Sequence, residues 1–536
     1  MTDIAREYKK LCPSVPIWVG GPEVSYEVEA FLRENPYIDG VMIGEGEDTF
    51  RELCGYYAHK RKLSDIAGIA FRKNSTGNST SVNNIGGNKA GEIVFTSPRP
   101  IKNMSEIPFC YDTLDDFSNR IIYYESSRGC PFSCSYCLSS VDKTLRFRDT
   151  EIVKRELKFF IDQKVPQIKF VDRTFNCNHA HAMELWRFIK ANDNGVTNFH
   201  FEISADLLNQ EELELISDMR PGLIQLEIGV QSTNEVTIKE IHRTMKLERL
   251  KEVVRLIQSG NNIHEHLDLI AGLPFEDYDT FAKSFDEIYE LRPNQLQLGF
   301  LKVLKGSYMF EHAAEYGIVY HDKPPYEVMS TKWLSFDDVI KIKRVEEMLE
   351  VYYNSGQFEI TMKLMECIFD SAFEFFQELG DFYEANGYFG MSHSRIRRCE
   401  ILLEFLALYL HGCDSDDMAS VGLSGNAGDR DNTDFDENAQ IYSMIQESLI
   451  FDLYYRENCK SRPRWATDIG KFKHMTHAYC KNGKLSHVEP FHYIFPDKHT
   501  RKLDELPKYH KEPVWALFHY DMRDPLDHQA LVEYIE

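Results

Sequence analysis

Three cysteines within eight residues mark the place in this chain where chemistry could be done. They lie in Arg128-Gly129-Cys130-Pro131-Phe132-Ser133-Cys134-Ser135-Tyr136-Cys137, at C-x3-C-x2-C spacing, directly after the strand-like run Ile121–Glu125. A loop this tight can aim three thiolates at one point. Three is one fewer than the four ligands that zinc sites and most iron–sulfur clusters take from protein. A cluster held this way keeps one iron open for a substrate or cofactor. The alternative is a buried or zinc-binding cysteine group. Of 12 cysteines in the chain, the nine outside this loop offer no nearby C-x2-C to complete a zinc site.

The elements that must position this loop can be read from the bulk numbers and the patterning. A chain of 536 residues has room for two to four domains and a large core. Its 43% hydrophobic and 27% charged content is ordinary for a globular protein. No apolar run approaches the ~18–20 residues of a membrane span, and Met1-Thr2-Asp3-Ile4-Ala5-Arg6-Glu7 lacks a signal-peptide core, so no membrane partner is expected. Cysteines scattered outside the triplet argue against a disulfide framework and for a reducing, cytoplasmic location. A net charge of −24 disfavours a sequence-independent grip on nucleic acid.

Residues 119–305 alternate strand and helix patterns six times. The expected strands are Ile121–Glu125, Gln167–Val171, Asn198–Ile203, Leu223–Ile228, His264–Ile270 and Gln295–Leu301, with amphipathic helices such as Ile152–Asp162 and Leu247–Gln258 between them. Such spacing suits right-handed βα units. Six of them predict an open, partial (β/α)6 barrel of the α/β class. Chemistry in βα barrels sits at the carboxyl ends of the strands. There the sequence places the cysteine loop, then Val171-Asp172-Arg173-Thr174-Phe175-Asn176, then Glu202, Ser204 and Asp206, then Glu227-Ile228-Gly229-Val230-Gln231-Ser232, then Asp268–Pro274, then Lys302. Each has a plainer role available: Asp172 and Ser204 could cap helices, Gly229 and Gly272 could permit close packing, and Lys302 could be a solvated charge.

Ahead of the barrel, residues 1–60 read as two strand–glycine–helix units. Val15–Val19 ends in Gly20-Gly21-Pro22-Glu23, and Gly40–Ile43 ends in Gly44-Glu45-Gly46-Glu47. Glycines at the carboxyl ends of parallel strands let backbone approach a ligand closely. Residues 61–118 read as a linker holding a β-hairpin (Ile66–Arg72 with Glu92–Thr96) and a disordered loop, Asn74–Gly91. Residues 306–536 read as mainly helical, over Phe336–Tyr353, Thr361–Gln377, Ser394–Leu410 and Ile441–Tyr455, with an acidic mobile insert at Asp414–Glu437. The β-like runs His487–Tyr493 and Val514–Phe518 follow.

The cysteine loop, with Tyr136 just before its last cysteine, resembles the signature of the radical S-adenosylmethionine (SAM) enzymes. Val171–Asn176 resembles the Phe-x-Asp-x-x-Phe element of the cobalamin-type class, and Gly229-Val230-Gln231-Ser232 its Gly-Val-Glu/Gln-Ser. Gly-Gly-Pro-Glu and Gly-Glu-Gly-Glu, in this order, resemble the second half of the Rossmann-like cobalamin-binding domain that precedes such barrels. This chain opens with only the last two of about five βα units and lacks an Asp-x-His-x-x-Gly motif. Pro324–Val328, Arg462–Trp465 and the aromatic C-terminal runs resemble an uncharacterised domain that often follows such a barrel.

The resemblance implies a [4Fe-4S] cluster on Cys130, Cys134 and Cys137, with SAM bound through its amino and carboxylate groups to the open iron. It also implies reductive cleavage of SAM to methionine and a 5′-deoxyadenosyl radical, driven by a reductant such as flavodoxin or ferredoxin. Tyr136, Asp172, Glu202, Ser204 and Gln231 are the candidates to hold SAM, and Gly20, Gly21, Gly44, Glu45 and Gly46 to face cobalamin. Methyl transfer to an unactivated carbon of a small-molecule or peptide substrate is the expected outcome. Two other readings stay open: a cobalamin-independent radical SAM oxidation, rearrangement or cyclisation, and a non-catalytic iron–sulfur redox protein. The C-terminal region is expected to close the mouth of the barrel and shape the substrate pocket.

Overall fold

The computed structural model describes all residues except 74–91, 112, 115–116, 118–119, 412–436, 481–484, 497–499, 501–502, 504 and 536. The expected disordered loop and nearly all of the acidic insert lie outside the described residues. The chain divides into two compact units: Met1–Ser118 with Glu125–Phe159 and Val303–Ala313, and Asn119–Tyr124 with Phe160–Lys302 and Ala314–Glu536.

The first unit is built on a four-stranded sheet of β1 (Trp18–Gly20), β2 (Gly40–Met42), β3 (Ile69–Arg72) and β4 (Ile93–Phe95), in that spatial order. β1 and β2 are parallel, whereas β3 runs antiparallel to both β2 and β4. The hairpin therefore continues the sheet begun by the two glycine-ended strands. Three or more strands with an apolar face can stand where two could not. Val24, Val28, Leu32, Ile38, Val41 and Ala70 form the core on one face, under helix α1 (Thr2–Leu11) and helix α2 (Val28–Glu34); Leu53 of helix α3 (Glu47–Tyr57) joins Ile66 and Ile69 on the other.

The second unit holds the barrel sheet: β5 (Ile122–Tyr124), β6 (Gln167–Phe170), β7 (Asn198–Ile203), β8 (Ile224–Gln231), β9 (His264–Ala271) and β10 (Gln295–Phe300). They neighbour one another in chain order and every pairing is parallel, as six successive right-handed βα units require. The alternation along each strand divides the two faces. Ile168, Phe170, Phe199, Phe201, Leu226, Ile228, Leu267, Leu269, Leu296 and Leu298 are all buried. Phe170 and Phe175 stack on Phe201 at 4.6 and 4.3 Å between ring centroids, against Trp186 of the following helix. The other face carries Lys169, His200, Glu202, Glu227, His266 and Asp268.

After the barrel the helices run Phe336–Leu349, Glu359–Met365, Ala372–Ala385, Arg395–His411 and Glu437–Arg456, followed by three antiparallel strands, Ser486–Tyr493, Tyr509–Arg523 and Ala530–Ile535. The helix expected over Thr361–Gln377 is two helices. Ser371 caps the second by accepting from the Glu374 N–H, and its hydroxyl donates to Asp286 of the barrel helix Tyr278–Tyr289 at 2.7 Å. Phe373 and Phe376 then pack on Phe285 of that helix at 5.4 and 6.1 Å. This region is part of the barrel's own core.

Candidate functional site

The cysteine loop belongs to the first unit and is closed at its base by a pair of two-residue strands. Ser127 pairs with Phe147 and Arg128 with Arg146. The Cys130 N–H donates to Asp142 O at 3.4 Å, one step further into the loop. Between them Gly129 takes φ +93°, and a Cβ there would lie 2.5 Å from the Thr144 carbonyl oxygen, so the residue before the first cysteine must be glycine. The other two cysteines sit on a tight turn in which the Cys137 N–H donates to Cys134 O at 3.2 Å and Ser140 closes back on Cys137 O. The Met309 N–H donates to Ser135 O at 3.0 Å, which fixes the turn from outside. Cys130 and Cys134 are buried, Cys137 is half-exposed, and none is in a disulfide.

Among the described residues no three Cys, His, Asp or Glu side chains converge on a single ion. Around one tetrahedral zinc, sulfurs at 2.3 Å from the metal stand about 3.8 Å apart. Three thiols on one short loop are one donor fewer than a closed structural zinc site takes, and suit a cluster that keeps one iron open.

Charge clamps the base of this loop. Arg128 makes a fork with Glu125 at 2.7 and 2.9 Å and also donates to Glu45 at 3.0 Å and Glu47 at 2.9 Å. The Glu125 carboxylate, then Glu47 and Glu45, hold its guanidinium more firmly charged than an isolated arginine. Arg146, its cross-strand partner, donates to the same Glu45 at 2.6 Å and to Asp142 at 3.0 Å. Burial alone would raise the Glu45 carboxyl, but Arg146, the Lys102 N–H and Arg128 outweigh it and hold the group below the usual carboxylate range. The Glu45 carboxylate is thus spent on the cysteine loop. The glycines beside it are open: Gly21 at φ +97° and Gly44 at φ +75° have nothing within 4 Å of a would-be Cβ, and neither has Gly46. Gly20 differs, since a Cβ there would meet Met42 at 3.3 Å. Ser25 ties the two turns, donating to Gly21 O at 2.8 Å and accepting from the Gly44 N–H. Bare backbone at the carboxyl ends of two parallel strands fits the close approach of a broad ligand such as a corrinoid.

In the second unit the strand ends carry a polar constellation. Asn176, after β6, grips the end of β7 with both amide atoms, donating to Ser204 O at 2.8 Å and accepting from the Ser204 N–H at 3.0 Å. The Ser204 hydroxyl donates to Asp206, which in turn accepts the Lys246 N–H, so Ser204 caps no helix. Asp172 is fully buried. Burial, then the neighbouring Glu227 and Asp172, raise Glu202. At the end of β8 a register shift sets Gln231 at φ +76°, beside Gly229, whose absent Cβ would collide with the Gln231 amide nitrogen. Gln231 Oε1 is buried with no hydrogen-bond partner among the described residues. An orphaned acceptor at a strand end fits a ligand that brings its own donor. Gly272 permits close packing against Val328, and Lys302 is an exposed charge.

Beneath this rim lies a charged layer that the sequence reading had not assembled. Glu227 accepts from Lys169 at 2.8 Å and lies 2.9 Å from His200 Nε2. His200, then Lys169, pull it down to about 2 against the effect of burial. Asp268, 3.3 Å from His266 Nε2, is driven well up by burial and by Glu227 and Glu202. One layer therefore holds two carboxyls that their surroundings push in opposite directions. Its signal was the strict alternation of these residues with apolar ones along strands flanked by helices.

Residues 124–288 match the radical SAM superfamily. Residues 1–54 match the B12 binding domain and residues 314–530 a protein family of unknown function. Among curated relatives, the chain is 25% identical over 350 residues to an uncharacterized methyltransferase of Pyrococcus horikoshii, covering 63% of this chain and 71% of that one. It is 26% identical over 310 residues to the cobalamin-dependent radical SAM methyltransferase TokK of Streptomyces tokunonensis, covering 54% of this chain and 42% of TokK. The fold is similar to that of the cobalamin-dependent S-adenosylmethionine radical enzyme OxsB with aqua-cobalamin bound, at TM-score 0.50 and 16% identity, over 88% of this chain and 74% of that one. The chain thus spans under half the length of TokK. Among the described residues no helix is long and apolar enough to cross a membrane.

Proposed function

We propose that this chain is a cytoplasmic, cobalamin-dependent radical SAM methyltransferase that acts on an unactivated carbon of a small-molecule or peptide substrate. The observation that carries the reading is the cysteine loop: three thiols on a glycine-dependent turn, its base locked by Arg128, Arg146 and Glu45. Cys130, Cys134 and Cys137 would hold a [4Fe-4S] cluster, which would supply the electron for SAM cleavage, and a bound corrinoid would supply a transferable methyl group.

The chain's own residues do the rest. Gln231 offers its unpaired acceptor to SAM, while Asp172, Glu202, Ser204 and Tyr136 supply further polar contacts for a zwitterion and a ribose. Gly21, Gly44 and Gly46 leave backbone bare for the corrinoid. Glu227 and Asp268, pushed in opposite directions within one layer, can orient a polar substrate group. Radical SAM enzymes need a reductant, and a flavodoxin or ferredoxin would serve.

The reading is tested by anaerobic reconstitution with SAM and a reductant, with and without hydroxocobalamin, measuring 5′-deoxyadenosine and S-adenosylhomocysteine. The reduced corrinoid accepts the methyl group of SAM, so both products are expected, with the second depending on the corrinoid. 5′-Deoxyadenosine that forms regardless of the corrinoid, with no S-adenosylhomocysteine, would reject the methyl-transfer reading, and unconsumed SAM would reject the whole.

A further inference from the structure

At the amino ends of the barrel strands, opposite the rim just described, the second unit encloses a cavity of about 370 Å³. Its size falls within the range of small-molecule sites. The walls come from the turns before β9 and β10, from the segment Glu350–Asn354 and from the hairpin tip at Leu526–Gln529. Four independent features distinguish it from a packing defect.

First, buried polar atoms on its walls lack partners. His264 Nδ1, Arg292 Nε and Gln529 Oε1 have no hydrogen-bond partner among the described residues, and Gln529 is only 3% exposed. An apolar void needs no such groups, and each costs about 1–3 kcal/mol if it stays unsatisfied. Second, the wall segment Glu350–Asn354 is a π-helical turn, which local sequence rarely favours and which gathers at functional sites. Asn354 at its end holds β10 by exchanging two hydrogen bonds with the Leu296 backbone, and Tyr353 donates to Pro293 O. Third, Asn261, Arg292 and His528, all on the walls, occupy the left-handed region at φ 47°, 57° and 62°. Such residues cost roughly 1–2 kcal/mol each where glycine would not.

The fourth feature is charge. Arg292 is ion-paired with Glu366 and Lys363 with Glu359 at 3.0 Å, so those four side chains cancel. Arg456 is different. Its guanidinium donates to the Asp527 carbonyl at 3.1 Å and, among the described residues, meets no carboxylate. It stands 3.6 Å from the position a Cβ of Gly356 would take, an ordinary contact distance. Burial and the neighbouring His266 and His200 hold His264 down to about 4; of the other charged side chains on the walls, Asp527 accepts from the Gln529 N–H at 2.9 Å, while Arg456 has no ion-pair partner among the described residues.

We propose that this cavity binds a small organic anion through a carboxylate or phosphate group, with Arg456 as its counter-ion and Arg292 Nε and Gln529 Oε1 as fixed hydrogen-bonding groups.

The test is equilibrium dialysis of the full chain against radiolabelled inorganic phosphate and, separately, radiolabelled benzoate in the millimolar range. One equivalent of one probe per chain is expected, and the probe retained distinguishes a phosphate from a carboxylate ligand. Arg456→Gln should weaken binding at least about tenfold. Ser355→Trp, on the wall but outside the charge network, should block it with iron content unchanged, although it gives up the Ser355 hydrogen bonds to Val351 O and from the Gln357 N–H. Binding of neither probe by the unmodified chain overturns the proposal, as does equal binding by both variants.

Discussion

Replacing Glu45 by glutamine tests whether the glycine-turn sheet and the cysteine loop are one mechanical unit. The Glu45 carboxylate accepts from Arg128 at 3.0 Å, Arg146 at 2.6 Å and the Lys102 N–H at 3.1 Å. Arg128 and Arg146 are cross-strand partners at the base of the loop, and Gly129 and Cys130 follow Arg128 directly. Hydrogen bonds to charged groups contribute about 1.5–3 kcal/mol each. Glutamine keeps one acceptor, and the site is about one-fifth exposed, so the net loss should be about 2 kcal/mol after solvent screening. Arg128 keeps Glu125 and Glu47, and Arg146 keeps Asp142, so the chain should still fold. Opening of the loop should become roughly tenfold or more easier. The assay is the rate at which a chelator strips iron from the reconstituted protein, with Glu47→Gln as comparison, because Glu47 touches Arg128 alone of the pair. Glu45→Gln should lose iron about tenfold faster and Glu47→Gln only slightly faster. Equal rates for Glu45→Gln and the unmodified chain would refute the reasoning.

Three further outcomes are expected. Gly129→Ala places a Cβ 2.5 Å from Thr144 O in a left-handed backbone, and should abolish stable iron incorporation while far-UV circular dichroism stays unchanged. Gln231→Ala removes the orphaned acceptor at the end of β8 and should raise the KM for SAM about tenfold at unchanged iron content; an unaltered KM would detach Gln231 from SAM. Glu276 is raised by burial to about 7, against the partial relief of Ser232 and Ser284, so its protonated form stabilises the fold fully below about pH 4.5, and that stability is lost as pH rises through about 7. The cost of ionising it is about 3 kcal/mol, and Glu276→Gln should flatten denaturant-melt stability across that window.

Much of this was legible in the sequence because the signals were local. Cysteine spacing is covalent, and the six barrel strands declared themselves by periodicity, with boundaries within a few residues of those observed. What stayed hidden depended on partners far along the chain. Glu45 sits in a glycine turn that reads as ligand-facing, yet its carboxylate is taken by arginines 83 and 101 residues away. The hairpin Ile69–Arg72 with Ile93–Phe95 was visible as a hairpin, but its addition to the edge of β2 rests on a pairing choice no local pattern encodes. Alternating polar residues such as Lys169, His200 and Glu227 look the same whether their face meets water or lines a barrel. The break after Met365 turned on Ser371 finding Asp286, 85 residues earlier.

We propose that Cys130, Cys134 and Cys137 hold a cluster whose open iron receives SAM. Electron–nuclear double resonance on the anaerobically reduced, reconstituted chain, with SAM labelled at its methionyl nitrogen and carboxylate oxygens, tests it directly. Hyperfine coupling from both labels is expected, with the cluster signal lost in Cys134→Ala. A reduced-cluster spectrum unmoved by SAM, or a signal that survives Cys134→Ala, would contradict the account.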